Sequence, residues 1–386
     1  MEFMGYVRED GKVGVRNHVL ILPTCACASE TCRIVTSQVK GCVNIINQVG
    51  CAEVKGNEDI TQRVLKGFAS NANVFGVVVI GLGCENHSHK SVKASIQAVT
   101  NKPVVSFGIQ EEGGTVKTIE KAVKAAREMA EQASMQVRVS VPISKLMMGI
   151  ECGGSDATSG LAANPAVGFL SDQLVDMGAS TIMSETPEFI GAEHILAKRG
   201  ATPAIHDQII QICKDFETHL AGVGQDLRTG QPTPGNKDGG LSTIEEKSLG
   251  CIYKGGTRPV VEVLAYADTP TKQGAIIMDT PGYDIASVTA MIAGGCQVIA
   301  FTTGRGTPTG HALAPVIKIT GNHGTFEMMQ DNMDCDVSGI ISGETTIDDA
   351  GKYLFDELMT VVNGKLTKAE TYGFSDICID RICRFI

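Results

Sequence analysis

Short apolar runs alternate along this chain with loops rich in Gly, Ser or Thr and with stretches of helical periodicity. That order of elements predicts an α/β fold with largely parallel sheets flanked by helices. Each run is uniformly apolar and rich in Val or Ile, which is typical of strands covered on both faces. The predicted strands are His18–Leu22, Val77–Ile80, Val104–Phe107, Leu146–Ile150, Thr181–Met183, Ala275–Met278 and Val298–Phe301.

Two helices can be bounded from the sequence. Thr115–Gln132 is amphipathic, with apolar residues recurring on one face and charges on the other. Pro187–Arg199 follows Thr186 as N-cap, has Pro at its first position and stops at Gly200.

The chain has 386 residues, which predicts two α/β domains or lobes with the site between them. Residues 1–140 form the first predicted domain, which is Rossmann-like, and residues 141–386 form the second. Within the second, residues 222–256 are polar and rich in Gly and Pro, and we expect a long loop there. Lys237, Lys247 and Lys254 lie among its glycines, which favours a functional loop over a linker.

Composition excludes several classes of protein. The net charge is −10 and no run of Lys or Arg occurs, which argues against nucleic-acid binding. No apolar run is long enough to cross a bilayer, and residues 1–8 lack a signal-peptide pattern. The 13 Cys are odd in number, which favours reduced thiols over a disulfide framework. We therefore expect a cytoplasmic protein that binds neither nucleic acid nor membrane.

Nucleotide cofactors are not expected. Gly81-Leu82-Gly83 resembles part of a dinucleotide fingerprint, but the third Gly and the later acidic residue are out of register, which argues against NAD. A Walker A motif is absent, which argues against NTP binding.

Small, polar or acidic residues follow six of the predicted strands. Because ligands of open α/β sheets bind outside the carboxyl ends of the strands, these segments predict a shared site rim. Glycine in such loops lets backbone N–H groups approach a ligand, although each loop taken alone also fits a tight turn. The segments are residues 23–30, 81–87, 151–160, 184–187, 279–282 and 302–307.

Glu185 and His194 are predicted to act as a base or as metal ligands, because a His beside carboxylates can serve either purpose. Glu188, in the first turn of the predicted helix, has a sufficient role in stabilising the helix N-terminus.

Cys84, Glu85 and Cys152 lie at strand ends and are better placed to bind metal than the other cysteines, most of which we expect in the core. Arg305 lies among Gly and Thr, a setting suited to bidentate capture of a carboxylate. A structural ion pair explains Arg16 and Arg305 equally well when each is taken singly.

Six segments, in order along almost the whole chain, are similar to the altronate/galactarate dehydratase family. Together they are specific at family level, although no single one is. They are Gly5–Asn17, Gly81–Glu85, Ile150–Asn164, Ser184–His194, Gly235–Lys237 with Glu246–Gly250, and Phe301–Gly310. The resemblance implies a lyase that eliminates water next to the carboxylate of a hydroxy acid, or sulfite in the sulfolactate sulfo-lyases. It also implies a divalent metal, most often Fe²⁺ and alternatively Mn²⁺.

The resemblance and the strand-end positions together suggest a role for each candidate residue. The candidates for proton transfer are Glu185, His194, Glu151 and Asp156. The candidates for substrate binding are Arg16, Asn17, Ser155, Thr158, Arg305 and Lys318. The candidates for metal binding are Cys84, Glu85, Cys51 and Cys152.

Two departures from the family pattern matter. Long members carry a small SAF-type domain before the motif at Gly5–Asn17. Here that domain is either missing or, as we expect, a separate small subunit in a homo- or hetero-oligomer. Members such as galactarate dehydratase have a His four residues before the Cys matching Cys51, where this chain has Asn47. If that His binds metal in relatives, the metal shell or the substrate differs here.

The expected activity is dehydration of a sugar acid such as altronate to a 2-keto-3-deoxy acid, by the large subunit of a two-subunit enzyme. The alternatives are the large, or beta, subunit of a (2R)-sulfolactate sulfo-lyase and a galactarate dehydratase. A further alternative is a non-catalytic iron–sulfur or scaffold protein, suggested by the Cys count and opposed by the lack of a regular four-Cys motif.

Overall fold

The structure is a computed structural model that describes residues 1–385. The strands are β1 (Glu2–Val7), β2 (Val13–Gly14), β3 (His18–Pro23), β4 (Cys42–Asn44), β5 (Val74–Gly81), β6 (Val104–Gly108), β7 (Val139–Pro142), β8 (Met147–Gly153), β9 (Ser180–Met183), β10 (Val260–Leu264), β11 (Ala275–Met278), β12 (Val298–Thr303), β13 (Val316–Thr320) and β14 (Cys335–Asp336). The α-helices are α1 (Ala26–Thr36), α2 (Lys55–Ser70), α3 (His89–Gln97), α4 (Thr115–Ser134), α5 (Asn164–Asp176), α6 (Glu193–Leu196), α7 (Pro203–Gly222), α8 (Leu227–Gly230), α9 (Pro234–Asp238), α10 (Ile244–Cys251), α11 (Asp284–Gly294), α12 (His323–Met328), α13 (Gly339–Ser342), α14 (Ile347–Val362) and α15 (Lys368–Tyr372).

The strands form two parallel sheets and one small antiparallel sheet. The first parallel sheet has the order β4-β3-β5-β6, and the second has the order β10-β11-β9-β8-β12-β13-β14. The antiparallel sheet, β2-β1-β7, pairs the start of the chain with the strand that precedes the second parallel sheet. The α/β fold with largely parallel sheets is therefore confirmed, while the domain boundary at residue 140 stays a prediction.

Strand β5 shows why a uniformly apolar run folds this way. Val77 and Val79 face the core shared with α2 and α11, whereas Val78 and Ile80 face the core shared with α1 and α4. All four side chains are fully buried. Both faces of the strand are thus covered by helices, as the sequence predicts for parallel sheets.

Helices α2 and α11 pack against each other and join the two parallel sheets. Gly67 of α2 lies so close to α11 that a Cβ there would come within 2.3 Å of the Ala293 carbonyl oxygen. Asn71, just past α2, donates to the carbonyl of Ile292 at 2.8 Å. The carboxyl ends of the two helices therefore meet.

The C-terminal tail also bridges α2 and α11, at points farther from their carboxyl ends. The amide of Cys378 donates to Oγ1 of Thr289 on α11 at 3.1 Å, and the amide of Ile382 donates to Oδ1 of Asn57 on α2 at 2.9 Å. The helices therefore run in the same direction. Because β4 precedes α2 and β11 precedes α11, both parallel sheets turn their carboxyl ends to the same side of the molecule.

Two sequence predictions of local structure are wrong. The helix predicted over Pro187–Arg199 is a 3-10 turn at Thr186–Glu188, the four-residue α6 and a second 3-10 turn at Ala197–Arg199. Gly191 at φ 94° interrupts the helix. The long loop predicted over residues 222–256 contains α8, α9 and α10, because side-chain caps at Asp226, Thr233 and Thr243 start a helix at each position.

Candidate active site

Four buried, mostly ionisable side chains meet at the carboxyl ends of β8 and β9. Glu151 and Cys152 lie at the end of β8, and Glu185 is the second residue after β9. Lys254 reaches them from the 3-10 turn that follows α10. Each of the four residues is at most 1% exposed. Charged side chains are rarely buried so completely unless they are paired, so this group needs either mutual contacts or a ligand.

Lys254 holds the group together. Its Nζ atom lies 2.7 Å from Oε2 of Glu185, 3.1 Å from Oε2 of Glu188 and 3.0 Å from Sγ of Cys152. The Cys152 thiol also donates to Oε2 of Glu188 at 2.7 Å. On its other side, Glu188 pairs with Lys247 at 3.2 Å. We call these five residues the lysine–glutamate cluster.

The backbone at Glu185 is strained. Its φ of 75° lies in the left-handed region, which a residue with a long side chain rarely adopts. The Glu185 amide donates to Oγ1 of Thr280 at 2.8 Å, and the Cys152 amide donates to Oε2 of Glu185 at 3.2 Å. Strain of this kind persists where the surrounding structure fixes a functional residue.

Burial and neighbouring charge drive the carboxyl pKa values of the cluster apart. Burial and the Glu188 carboxylate raise the pKa of Glu185 to about 8. Burial also opposes ionisation of Glu188, but Lys254 and Lys247 outweigh it and hold the pKa of Glu188 well below its usual range. Burial alone would lower the pKa of Lys254, yet Cys152 and the carboxylates raise it overall. Titratable neighbours with such opposed shifts are typical of acid–base sites.

Glu185 of the cluster and two neighbouring carboxyl groups could hold a metal ion. Oxygen atoms of Glu151, Glu185 and Asp284 lie within 4.8 Å of one another. Ser287 donates to Oε2 of Glu151 at 2.5 Å, whereas the buried Oε1 of Glu151 has no hydrogen-bond partner. Burial and Glu185 raise the pKa of Glu151 well above its usual range, and burial and Glu188 raise the pKa of Asp284 to about 6. A cation would relieve this repulsion and give the orphaned oxygen a ligand.

A second group with metal-binding spacing is formed by Cys152, Glu188 and Cys251. The two sulfur atoms lie 3.7 Å apart. Here the hydrogen bonds from Lys254 and Cys152 already satisfy the Glu188 carboxylate. The group of Glu151, Glu185 and Asp284 is therefore the better candidate for a cation site.

Asp156 organises the turn between β8 and α5. It accepts hydrogen bonds from Thr158 Oγ1 at 2.7 Å, from the Ser159 amide at 3.0 Å and from Asn322 Nδ2 at 2.9 Å. The buried Oγ of Ser155 has no partner.

A cavity of about 270 Å³ lies beside this turn and reaches the lysine–glutamate cluster. Its polar lining includes Ser155, Asp156 and Lys247, and Cys251 lies at its inner end. A neighbouring cavity of about 550 Å³ shares Asp156 and is also lined by Thr158 and Arg305. The predicted residues Asp156, Ser155, Thr158 and Arg305 are therefore brought together around two adjoining cavities.

Three predicted substrate-binding residues lie elsewhere and have structural partners. Arg16 pairs with Glu370, its Nε atom lying 2.7 Å from Oε1. Asn17 accepts from Arg8 at 2.8 Å, and the fully buried Lys318 donates to the Thr309 carbonyl at 3.1 Å. Arg16, Asn17 and Lys318 line neither of the two cavities, and their role in holding the substrate stays a prediction.

His194 also lies apart from the cluster. It is exposed on the short helix α6, whereas Glu185 is buried. The role of His194 as a base or metal ligand stays a prediction, and Gly191 interrupts the helix on which His194 was expected.

The predicted metal ligands are divided between the two sheets. Cys51, Cys84 and Glu85 follow β4 and β5 of the first sheet, and Cys152 ends β8 of the second. Cys51 and Cys84 are exposed, and Glu85 accepts from Thr24 at 2.8 Å. Cys152 therefore does not share a single site with the other three predicted ligands.

Asn47 has a structural role. Its Oδ1 accepts from the Val49 amide at 3.0 Å, and its buried side chain donates to the Pro23 carbonyl at 3.3 Å.

Sequence reasoning did not assign four members of the site. Lys254 and Lys247 were recognised only as lysines of a loop, and Glu188 only as a residue that stabilises a helix end. Asp284 lies two residues beyond the polar segment 279–282 that follows β11. Extending each strand-end segment to the first turn of the next helix would have found Asp284.

Comparison with known proteins agrees with this architecture. The family model for the C-terminal part of D-galactarate/altronate dehydratase matches residues 143–384, and the model for the second domain of D-galactarate dehydratase/altronate hydrolase matches residues 5–134. The altronate dehydratase of Bacillus subtilis is 34% identical, over 98% of this chain and 77% of that protein.

Two further relatives extend the comparison. The (2R)-sulfolactate sulfo-lyase subunit beta of Chromohalobacter salexigens is 37% identical, over 98% of this chain and 97% of that protein. The altronate dehydratase of Escherichia coli is 30% identical, over 97% of this chain and 76% of that protein. The resemblance read from the sequence is confirmed, and the chain belongs to the D-galactarate/altronate dehydratase family of lyases.

Proposed function

We propose that this chain is the large subunit of a cytoplasmic hydro-lyase that dehydrates a sugar acid such as altronate to a 2-keto-3-deoxy acid. The observation that carries the proposal is the buried pair of Glu185 and Lys254, 2.7 Å apart at the carboxyl edge of the second sheet. Dehydration next to a carboxylate needs a group that removes the α proton and a group that assists the departing hydroxyl. The cluster contains groups suited to both tasks.

The substrate is proposed to occupy the cavity beside Asp156. Burial opposes ionisation of Lys247, but Glu188 outweighs it and raises the pKa of Lys247 overall, so its ammonium stays charged. It can therefore hold the substrate carboxylate. The unpartnered Oγ of Ser155 is available to a substrate hydroxyl, and Thr158 and Arg305 line the adjoining cavity. A volume of about 270 Å³ suits a small polyhydroxy acid.

Glu185 is proposed as the proton-transfer residue. A carboxyl group with a pKa of about 8 exchanges a proton near neutral pH, which suits general acid–base catalysis. Lys254 remains an ammonium and orients the Glu185 carboxyl group. Cys251 and Lys247 line the cavity next to the cluster, so substrate would approach Glu185 from that cavity.

A divalent cation, Fe²⁺ or Mn²⁺, would be held by Glu151 and Asp284 beside Glu185. The unpartnered Oε1 of Glu151 and the raised pKa values of the carboxyl groups support this placement. When bound, the cation would supply Lewis acidity for the developing negative charge or the leaving hydroxyl.

A second candidate function is the beta subunit of a sulfo-lyase. It is favoured by the 37% identity with that subunit over 97% of its length. That relative is itself a subunit, which supports a partner subunit for this chain, and we propose that the partner is a small SAF-type subunit. In either function the substrate is a small hydroxy acid.

Product analysis separates these functions. We propose to incubate the purified chain, with and without the small subunit and with Fe²⁺ or Mn²⁺, with altronate, galactarate and (2R)-sulfolactate. The proposal expects a 2-keto-3-deoxy acid from altronate. Sulfite from sulfolactate, with no product from either sugar acid, would support the second candidate and reject the first.

A further inference from the structure

Three exposed cysteines follow three neighbouring strands of the first sheet. Cys27 lies in the first turn of α1 after β3, Cys51 lies after β4, and Cys84 lies after β5. The strand order β4-β3-β5 places these three strand ends side by side. Cys25 and Cys32, by contrast, are buried in the apolar core behind them.

The loops that carry these thiols bind one another through their backbones. The amide of Ala26, next to Cys27, donates to the carbonyl of Val49 at 3.1 Å. The amide of Asn86, two residues after Cys84, donates to the carbonyl of Gly50, next to Cys51, at 3.2 Å. The loops that carry the three thiols are therefore in direct backbone contact at the carboxyl edge of the sheet.

Glycine and asparagine fix this arrangement. A Cβ at Gly50 would come within 2.2 Å of the Thr24 carbonyl oxygen, so only glycine lets the second loop pack against the first. The side chain of Asn86 bridges to the loop after Cys51, accepting from the Glu53 amide at 3.2 Å and donating to the Glu53 carbonyl at 3.3 Å. The position of the thiols is thus built into the fold.

The spacing of the thiols distinguishes between kinds of metal centre. Within the described residues, the three sulfur atoms do not form a group whose members all lie within 4.8 Å of one another. Thiolates around one tetrahedral ion lie closer together than this, because each is only about 2.3 Å from the metal. A four-iron cubane is larger than one ion and holds its thiolates farther apart.

We propose that Cys27, Cys51 and Cys84 bind a [4Fe–4S] cluster through three thiolates. Each thiol releases its proton and forms one bond to a different iron. The fourth iron would receive no ligand from these three cysteines and could bind an oxygen of a small hydroxy acid. Cys27 lies in the first turn of the 11-residue helix α1, where the helix dipole favours a negatively charged group.

This site is separate from the lysine–glutamate cluster, and binding of the iron–sulfur cluster does not depend on the proposed function. The two parallel sheets turn their carboxyl edges to the same side, so both sites open toward that side of the molecule. The proposed role of the fourth iron toward a hydroxy acid does rest on the proposed function.

The test uses the full chain purified without oxygen and reconstituted with ferrous iron, sulfide and a dithiol. The variants Cys27→Ser, Cys51→Ser and Cys84→Ser are compared with Cys383→Ser, which removes another exposed thiol. We expect about four iron and four acid-labile sulfide per chain, with broad visible absorbance and, after reduction, a paramagnetic resonance signal. Each of the three variants should lose about fivefold or more of the iron and sulfide, whereas Cys383→Ser keeps both.

Two results would overturn the proposal. One is a wild-type chain that contains no acid-labile sulfide after reconstitution. The other is retention of iron and sulfide by all three variants while circular dichroism shows that they are folded. Loss of the iron–sulfur cluster signal with retained dehydration of altronate in the presence of Mn²⁺ would leave the proposed function intact and reject only the role of the fourth iron.

Discussion

The Nζ atom of Lys254 lies 2.7 Å from Oε2 of Glu185, and neither side chain is more than 1% exposed. This contact joins the segment after α10 to the strained residue that follows β9. It also explains how a carboxyl group in a sealed position can exchange a proton near neutral pH, because the adjacent ammonium stabilises its ionised form. Four of the predictions below concern this pair, the cavity beside it or the carboxylates around it.

Replacing Glu185 with Gln should abolish most turnover while preserving the fold, because the amide fills the same space and cannot exchange a proton. We expect kcat for the preferred acid to fall by about 100-fold to 10,000-fold. Glu344→Gln, at an exposed position, is the matched control and should keep wild-type kcat. Full turnover by Glu185→Gln would reject the assigned role.

Replacing Lys254 with Met should destabilise the protein by about 3–5 kcal/mol, because it leaves buried carboxylates without their counter-ion. Thermal or denaturant unfolding measures the change, with the exposed Lys198→Met as control. Because removing the ammonium favours protonated carboxyl groups, part of the loss should be recovered at lower pH. Unchanged stability would mean that the cluster is not held by this lysine.

Replacing Lys247 with Met should weaken substrate binding more than it slows chemistry. Loss of one charge-assisted hydrogen bond to the substrate carboxylate predicts an increase in KM of about 10-fold to 100-fold. Steady-state kinetics of Lys247→Met and of the exposed control Lys237→Met tests this. A fall in kcat with unchanged KM would assign Lys247 to the chemical step rather than to binding.

Replacing Gly153 with Ala should impair cation binding. A Cβ at this position would come within 1.9 Å of Oδ2 of Asp284 and would displace that carboxylate. We expect the affinity for Mn²⁺ in titration calorimetry to fall by about 10-fold or more. Gly222→Ala, where the Cβ meets no atom within 4 Å, serves as control. Equal affinity in both variants would place the cation elsewhere.

His311 should make the fold sensitive to mild acid. It is 3% exposed, its Nδ1 accepts from the Leu313 amide at 3.1 Å, and burial lowers its pKa from 6.5 to about 3. As the pH falls through 6.5 the unfolded chain takes up the proton first, so stability present above pH 6.5 is lost progressively toward pH 3.

The contribution of this histidine between pH 7 and pH 5 should be about 2 kcal/mol. His311→Asn keeps an acceptor for the Leu313 amide and does not titrate in this range. Its melting temperature should therefore fall less between these pH values than that of the wild type. An equal fall in melting temperature for the two proteins between pH 7 and pH 5 would contradict the account.

The strands could be predicted because their signal is local. The run from Ala275 to Met278 is a strand with the same bounds in the structure, and the strands around Val77 and Val298 are longer by a few residues. A continuous apolar run must be buried on both faces, and that requirement does not depend on distant residues. The helix predicted from Pro187 failed for the opposite reason, because the bends at Glu185 and Gly191 are fixed by contacts that local propensity does not contain.

The site was predicted in part. Their positions at strand ends identified Glu151, Cys152 and Glu185 as candidates, and these residues do lie together. It did not identify Lys254 as their partner, because 69 residues separate Lys254 from Glu185 and the intervening segment resembles a loop. The substrate-binding role of Arg16 stays a prediction, and sequence alone does not show that Glu370 pairs with it. A side chain's partner is decided by tertiary packing, and the residue type is not enough.

The central claim is best tested by following ¹³C-labelled altronate by nuclear magnetic resonance in the presence of the purified chain, the proposed small subunit and Mn²⁺ or Fe²⁺. The account predicts that the carbon bearing the lost hydroxyl becomes a methylene beside a new keto group, and that Glu185→Gln abolishes this conversion. An altronate spectrum that stays unchanged under all these conditions, with sulfite released from (2R)-sulfolactate by the same preparation, would contradict it.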